Sequence, residues 1–390
     1  MKILFVHNRY QTPGGEDSVV EAEIALLREA GHEVLLHASD NDKISGLLSK
    51  LSAAFSATYS HSAKRDLARV LKRQNPHVVH VHNFFPTLSP SIYDACAEAG
   101  VAVVQTLHNY RTICAGGLLL REGKICELCV EGSPFTAVKY GCYRGSKAGT
   151  LAVARMVATH RKRRTWSRKI QRMIALTEFA RAKFNEAGFD DERIAIKPNF
   201  ITDPITGDEP DTSRKGALFV GRISVEKGVE VMLRAWRQIE EPLSIAGDGP
   251  LFERLSEAEQ GASYRFVGRQ SKAEVFSAMR SSRFLVMPSL CYEGFPMAIV
   301  EAFAHGLPVV CSRHGSMEEV VKDGISGLHF EAGNADDLAE KVKQLLDDPE
   351  RCEAMGKAAR KQFLEHYGPQ QNLAHLERIY AEARGVLELP

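Results

Sequence analysis

No apolar run in this 390-residue chain approaches the roughly 18–20 residues that a bilayer-crossing helix requires, so no membrane span is expected. Charge of one sign is also missing. With 50 Lys and Arg against 49 Asp and Glu, the net charge of +1 gives no overall pull toward nucleic acid, and no nucleic-acid partner is expected. No short-period repeat and no low-complexity tract is present. The Gly-x-Gly-x-x-Gly fingerprint is absent too, which argues against a nicotinamide enzyme. The opening Met1-Lys2-Ile3-Leu4-Phe5-Val6 is too short and too soon polar for a signal peptide. It predicts a first strand and a cytoplasmic protein, whose eight cysteines are then mostly reduced.

Hydrophobic content of 44% and charged content of 25% are those of a globular protein, and the length suggests two domains. Short apolar runs alternate with amphipathic stretches. Strands are predicted at Ile3–His7, Glu33–His37, His77–His82, Val101–Leu107, Met173–Leu176 and Ile194–Lys197, with helices near 16–30, 61–75, 88–99 and 178–187. Ile201–Arg214, with Pro, Gly, Thr and Asp, reads as a linker. A second alternation follows, with strands at Ala217–Val220, Leu243–Ala246, Tyr264–Val267, Phe284–Met287 and Pro308–Cys311. Its closing helices are placed at about 335–347, 350–366 and 370–386. Unalternated apolar strands separated by helices mean parallel sheets covered on both faces. The fold class is therefore α/β: two doubly wound Rossmann-like domains, over 1–200 and 215–368, with a final segment 369–390. In such folds ligands bind at the C-terminal ends of the strands, and the crevice facing both domains is the expected site.

Glu293-Gly-Phe-Pro-Met-Ala-Ile-Val-Glu301 places two carboxylates eight positions apart. Pro296 suits a helix's first turn and Gly306 its stop, which predicts a helix over about 296–305. Free N–H groups near Met297 and Ala298 would attract an anion. At ~1.5 Å rise per residue, Pro296 to Glu301 spans roughly 7.5 Å. That suits a sugar near Glu293 and Gly294, a phosphate at the helix tip and a ribose near Glu301, the layout of a nucleotide-sugar. Both acids could also be ordinary turn and surface residues.

Gly221-Arg222-Ile-Ser-Val-Glu-Lys227-Gly228 follows a strand and precedes a helix, so two cations sit where a departing diphosphate would need them. Thr12-Pro13-Gly14-Gly15 opens the first helix, and its paired glycines would let backbone approach a ligand or serve a tight turn. Ala246-Gly247-Asp248-Gly249 and Val267-Gly268-Arg269 end two further strands, where Gly would pass under a flat base and Arg269 would contact it. His82 and His108 each end a strand of the first domain, positions for orienting a sugar or moving a proton.

On Gly14-Gly15, His108, Arg222 with Lys227, and Glu293-Gly-Phe-Pro with Glu301, the chain resembles the retaining glycosyltransferases of family four, with the GT-B fold. The resemblance implies that Glu301 binds ribose hydroxyls. Glu293 with Gly294, Phe295, Pro296, Met297 and Ala298 would hold the donor sugar. Arg222 and Lys227 would bind the diphosphate, Gly15 would approach the same phosphates, and His108 would touch the donor sugar. It implies no catalytic metal, which fits the lack of an Asp-x-Asp pair near these residues. It also implies a C-terminal helix crossing back to the first domain. No first-domain carboxylate offers itself as a nucleophile, so same-face substitution is implied, the leaving diphosphate helping to deprotonate the acceptor. The donor is open between UDP, GDP and ADP types, and the acceptor is a glycan or a lipid-linked sugar of polysaccharide or glycoconjugate synthesis.

Within an insert over 109–146, Cys114-x11-Cys126-x2-Cys129-x12-Cys142 suggests a structural zinc on four thiolates, with free thiols the alternative. The insert is expected to shape the acceptor site. Residues 139–172 carry eleven Lys and Arg, no acid, and Trp166. A basic amphipathic helix of this kind suits peripheral contact with an anionic membrane, placing the protein at its inner face; a solvated helix face is the alternative. The rival functions are a nucleotide-sugar epimerase on the same fold, a phosphorylase (for which no pyridoxal lysine is evident), and a non-catalytic sugar-nucleotide binding protein.

Overall fold

The structure, a computed structural model, describes residues 1–9, 14–40, 56–205, 214–258 and 263–386. It divides into two compact units: Met1–Leu119 with Cys126–Asn199 and Pro369–Pro390, and Leu120–Ile125 with Phe200–Gly368. Thr12, Pro13 and most of the expected linker lie outside the described residues.

The first unit holds a six-stranded parallel sheet of β1 (Lys2–Arg9), β2 (Glu33–Asp40), β3 (Val78–Asn83), β4 (Ala102–Thr106), β7 (Arg172–Ala175) and β8 (Ile194–Ile196), in the order β2-β1-β3-β4-β7-β8. β3 and β7 are buried at every residue. Strands without an exposed face are what near-continuous apolar runs predict. The order reverses beside β1, so the loops after β1 and β3 flank a topological switch point, where open α/β sheets bind ligands. The last helix, Pro369–Ala383, packs on β4, β7 and the helix Gly15–Glu29. Its Tyr380 hydroxyl meets His80 Nδ1 at 2.8 Å, and Glu382 takes a salt bridge from Arg172 at 2.8 Å.

The second unit repeats the plan with β9 (Ala217–Val220), β10 (Leu243–Ala246), β11 (Tyr264–Gly268), β12 (Phe284–Met287), β13 (Val309–Ser312) and β14 (Gly327–Phe330), all parallel, in the order β11-β10-β9-β12-β13-β14. Alternate side chains feed two cores. Phe219, Phe284 and Val286 pack on one face under Val229–Trp236 and Ala335–Asp347; Leu218, Leu285 and Met287 pack on the other under Met297–Ala304 and Pro349–His366. A short hairpin pairs β5 (Leu120–Arg121) with β6 (Lys124–Ile125) inside the insert.

Several expectations change. β14 escaped the sequence reading, because its four residues begin with Gly327 and include His329. The helix expected over 88–99 spans only Ile92–Glu98, since Ser89 takes φ 55° and Pro90 follows it. Residues 139–172 are not one basic helix. Gly141 at φ 62° and Arg164 at φ 50° break them into Thr136–Tyr140, Lys147–Lys162 and Thr165–Lys169, and Arg172 already belongs to β7. Trp166 is core, only 5% exposed, with its ring 5.8 Å from those of Phe84 and Tyr93.

Candidate active site

In the second unit the expected cations and acids gather at the C-terminal ends of β9 and β12, where the strand order reverses. The loop Gly221–Gly228 is locked by backbone contacts with its neighbours: Ile223 N–H donates to Asp248 O at 2.9 Å, and Leu290 N–H to Glu226 O at 2.8 Å. Two glycines make this packing possible. A Cβ on Gly228, which sits at φ +66°, would lie 1.8 Å from Pro288 O; one on Gly247, at φ +144°, would lie 1.8 Å from Gly221 O. Gly247 is thus required by chain packing, and no base contact is needed to explain it.

Lys227 Nζ binds both oxygens of Glu293, at 2.7 and 2.9 Å, and Ser289 Oγ donates to the same carboxylate at 2.5 Å. Burial pushes the Glu293 carboxyl up, but the Lys227 charge and hydrogen bond, joined by Ser289, more than reverse this and hold it below its usual range. Burial likewise pulls the Lys227 ammonium down, and Glu293 outweighs it, leaving the pKa raised. Both groups are therefore charged at neutral pH. Arg222 and Arg269 are exposed at the ends of β9 and β11.

The helix after Glu293 spans Met297–Ala304, with Pro296 one residue earlier than expected, at the N-cap with φ −80° and ψ 89°. Gly306 closes it at φ 62°. The first N–H groups, at Met297 and Ala298, have no acceptor within the helix. Gly294 O accepts from Ser316 Oγ at 3.4 Å, and the Phe295 ring lies 6.0 Å from that of Tyr367, which fixes the turn between them. Glu301 is half-buried, and burial lifts its pKa to about 7 against a weak downward pull from Lys272.

The first unit carries a buried polar chain that sequence reasoning largely missed. Lys197 Nζ binds Glu23 Oε1 at 2.7 Å, with both side chains fully buried. Glu23 Oε2 stands 3.5 Å from His82 Nε2, and His82 Nδ1 is 2.9 Å from His108 Nε2. The ligand atoms of Glu23, His80 and His82 lie within 4.8 Å of one another, as in a metal site, but the Lys197 ammonium already supplies the cation there. The signal was available in His77-Val-Val-His-Val-His82, which puts His80 and His82 on one side of a buried strand. Burial pulls His108 down to about 3 and His82 well below its usual value. The burial therefore favours the neutral, hydrogen-bonding form of His108.

Gly14 caps the first helix in extended backbone, at φ −132°. Its N–H is taken by Asp17 Oδ2 at 2.9 Å, while Asp17 Oδ1 binds His7 Nε2 at 2.8 Å. A Cβ on Gly14 would meet nothing within 4 Å, so the fold itself does not demand glycine there. In the insert, Cys114 and Cys129 are buried, and Cys126 and Cys142 are half-buried. Burial lifts the Cys129 thiol to about 11, with Cys114, Cys142 and Cys126 adding to the rise, so the four are neighbours. Among the described residues, however, three or more of these thiols do not converge to within 4.8 Å.

Two parallel-sheet α/β units with a polar site at the strand ends define a GT-B-type protein. Comparison with known proteins makes this specific. Residues 13–203 match the model of Glycosyltransferase Family 4, and 207–362 that of Glycosyl transferases group 1, together almost the whole chain. The chain belongs to this glycosyltransferase family. An uncharacterized glycosyltransferase of Methanocaldococcus jannaschii is 34% identical over 168 residues, covering 42% of this chain and 47% of that protein. The sulfoquinovosyl transferase of Arabidopsis thaliana is 34% identical over 149 residues, 37% of this chain. The chain thus spans 47% and 29% of the length of these two relatives. The N-acetyl-alpha-D-glucosaminyl L-malate synthase of Bacillus anthracis matches at 22% over 97% of both chains. Among solved structures, Anabaena HepE with UDP and glucose has a TM-score of 0.69 at 16% identity, covering 97% of this chain and 99% of its own. Sucrose-phosphate synthase of Thermosynechococcus elongatus has a TM-score of 0.73 at 15% identity over 99% of both.

Proposed function

We propose that this protein transfers a sugar from a nucleotide-sugar to a glycan or lipid-linked acceptor in polysaccharide or glycoconjugate synthesis, with retention and without a catalytic metal. The observation that carries the reading is the Lys227–Glu293 pair, which ties the loop after β9, with Arg222 at its start, to the loop before Met297–Ala304 at the switch point of the second sheet. Arg222 and Lys227 would stabilise the charge that grows on the leaving diphosphate. Glu293, with the backbone of Gly294–Met297, would hold the sugar hydroxyls. Glu301 would accept from the ribose, and Arg269 would lie against the base. Gly15 would bring backbone to a phosphate, the neighbouring Gly14 N–H being occupied by Asp17. His108 would hydrogen-bond the sugar in its neutral form.

In the reaction, the bond from C1 to the diphosphate oxygen breaks and a bond from C1 to the acceptor oxygen forms on the same face. The acceptor proton passes to the departing diphosphate. HepE is solved with UDP and with UDP-glucose, which makes UDP-sugars the first donors to try.

Two further elements belong to this reading. Zinc on Cys114, Cys126, Cys129 and Cys142 would brace the insert, provided the metal draws the thiols together. Peripheral contact with the anionic inner face of a membrane would use the exposed Lys139, Arg144, Lys147 and Arg155 beside exposed Phe135, Tyr140 and Leu151, in place of the buried Trp166. No helix among the described residues is long and apolar enough to cross a membrane.

A thermal-shift panel of UDP-, GDP- and ADP-sugars tests the donor assignment. Stabilisation by one base class supports it, and an unchanged unfolding temperature with all three contradicts it.

A further inference from the structure

At the C-terminal ends of β3 and β4, wholly within the first unit, a pocket is lined by His108, Asn109, Arg111 and Thr112 from the loop after β4 and by Asn83 and Phe85 from the end of β3 and the loop after it. No Asp or Glu lines it. Arg111 is built into its wall. The guanidinium carbon lies 5.0 Å from the Phe85 ring centre and 5.3 Å from that of Tyr143. Nη1 donates to Ala115 O at 2.9 Å, and Asn109 Oδ1 accepts from the Arg111 backbone N–H at 3.0 Å. Gly117 leaves room for the guanidinium: a Cβ there would come within 2.9 Å of Nη2. The side chain is therefore fixed on three sides.

Yet among the described residues no carboxylate pairs with Arg111, and the hydrogen bond to Ala115 is the only one its guanidinium makes. Thr112 lines the same pocket, is 6% exposed, and its hydroxyl has no hydrogen-bond partner. A fixed cation without a counter-ion, beside an unsatisfied buried hydroxyl and no acid, is arranged for a small oxyanion.

We propose that this pocket takes the anionic group of the acceptor, a phosphate or a carboxylate, with Arg111 as its counter-ion and Thr112 as a hydrogen-bond partner. The acceptor of this transferase is then an acid that carries its reacting hydroxyl near the charged group, next to the sugar contact assigned to His108. This rests on the transferase reading for the word acceptor; the anion site itself does not.

The test is calorimetric titration of the full-length protein, at one fixed low salt concentration, with sn-glycerol 3-phosphate, glycerate and glycerol, and separately with UDP, GDP and ADP. At least one of the two acids is expected to bind roughly tenfold or more tighter than glycerol, the scale of one charge-assisted hydrogen bond. Glycerol 3-phosphate alone identifies a phosphorylated acceptor; glycerate alone identifies a carboxylic acid. Arg111→Met should abolish the preference and Arg111→Lys restore part of it, with nucleotide affinity unchanged. Thr112→Val, which keeps the shape, should weaken the acid severalfold and serves if Arg111→Met does not fold. Equal binding of the three probes, or an undiminished preference in both Arg111→Lys and Thr112→Val, overturns the site. Nucleotide binding without acid binding sinks this inference alone. Acid binding without any nucleotide overturns its acceptor role together with the transferase reading.

Discussion

Lys227 and Glu293, 66 positions apart in the chain, form one ion pair with Nζ 2.7 Å from Oε1. The pair joins the loop after β9 to the loop after β12, so the residue proposed for the diphosphate positions the residue proposed for the sugar. Removing either leaves the other's charge without its partner in a half-buried place. Lys227→Ala and Glu293→Ala should each lower turnover by ~10²-fold or more, the scale of one electrostatic contact to a transition state. The double variant should lose far less than the product of the two, as seen in kcat for all three proteins.

The ribose contact proposed for Glu301 would make donor binding depend on pH. Burial pushes its carboxyl up to about 7, and a ribose hydroxyl donating to it would favour the ionised form. Nucleotide affinity should therefore be constant above pH 8 and weaken by about tenfold from there to pH 6. Calorimetry in buffers of different ionisation enthalpy should show protons released on binding near pH 6.5. For stability the sign is opposite to that of a paired acid. A carboxyl raised on folding costs stability once pH exceeds its unfolded value, and the cost grows until pH passes 7. Glu301→Gln should accordingly unfold at a higher temperature than the wild type at pH 8, and bind nucleotide less tightly.

The buried Glu23–Lys197 pair should matter to folding more than to donor affinity. Glu23→Ala leaves a buried ammonium unpaired and should cost about 3–5 kcal/mol in denaturant unfolding. Replacing both residues with Met should cost much less, because it removes both charges together.

Two glycines should separate packing from ligand approach. Gly228→Ala drives a Cβ against Pro288 O in a left-handed backbone and should lower the unfolding temperature by several degrees, as a loss of more than ~1–2 kcal/mol implies. Gly14→Ala has open space and ordinary φ, so its unfolding should be unchanged. A weaker nucleotide affinity in that variant would mark backbone approach by a phosphate.

The fold was written in the strands. Ala217–Val220, Leu243–Ala246 and Phe284–Met287 stand at the bounds their apolar runs predict, because a parallel strand buried on both faces leaves little ambiguity of period. The second unit's candidate residues were legible as strand-end residues for a related reason: Gly, Pro and charged residues stand out where an apolar strand stops. The buried chain from Lys197 through Glu23 to His82 was not legible, since its members sit just after β8, on a helix and on β3, and meet only through sheet order. Trp166 misled because a tryptophan among basic residues looks like an interfacial anchor, whereas Phe84, Tyr93 and Phe189 claim it for the core. Arg111 was passed over because an arginine in a loop has no pattern until its partners are known.

The most direct measurement is titration of UDP, GDP and ADP into the wild type and into Arg222→Ala by calorimetry. The account predicts one saturable site for one of the three nucleotides, and at least a tenfold loss of affinity in the variant. Absence of binding heat with all three, or equal affinity in the two proteins, would contradict it.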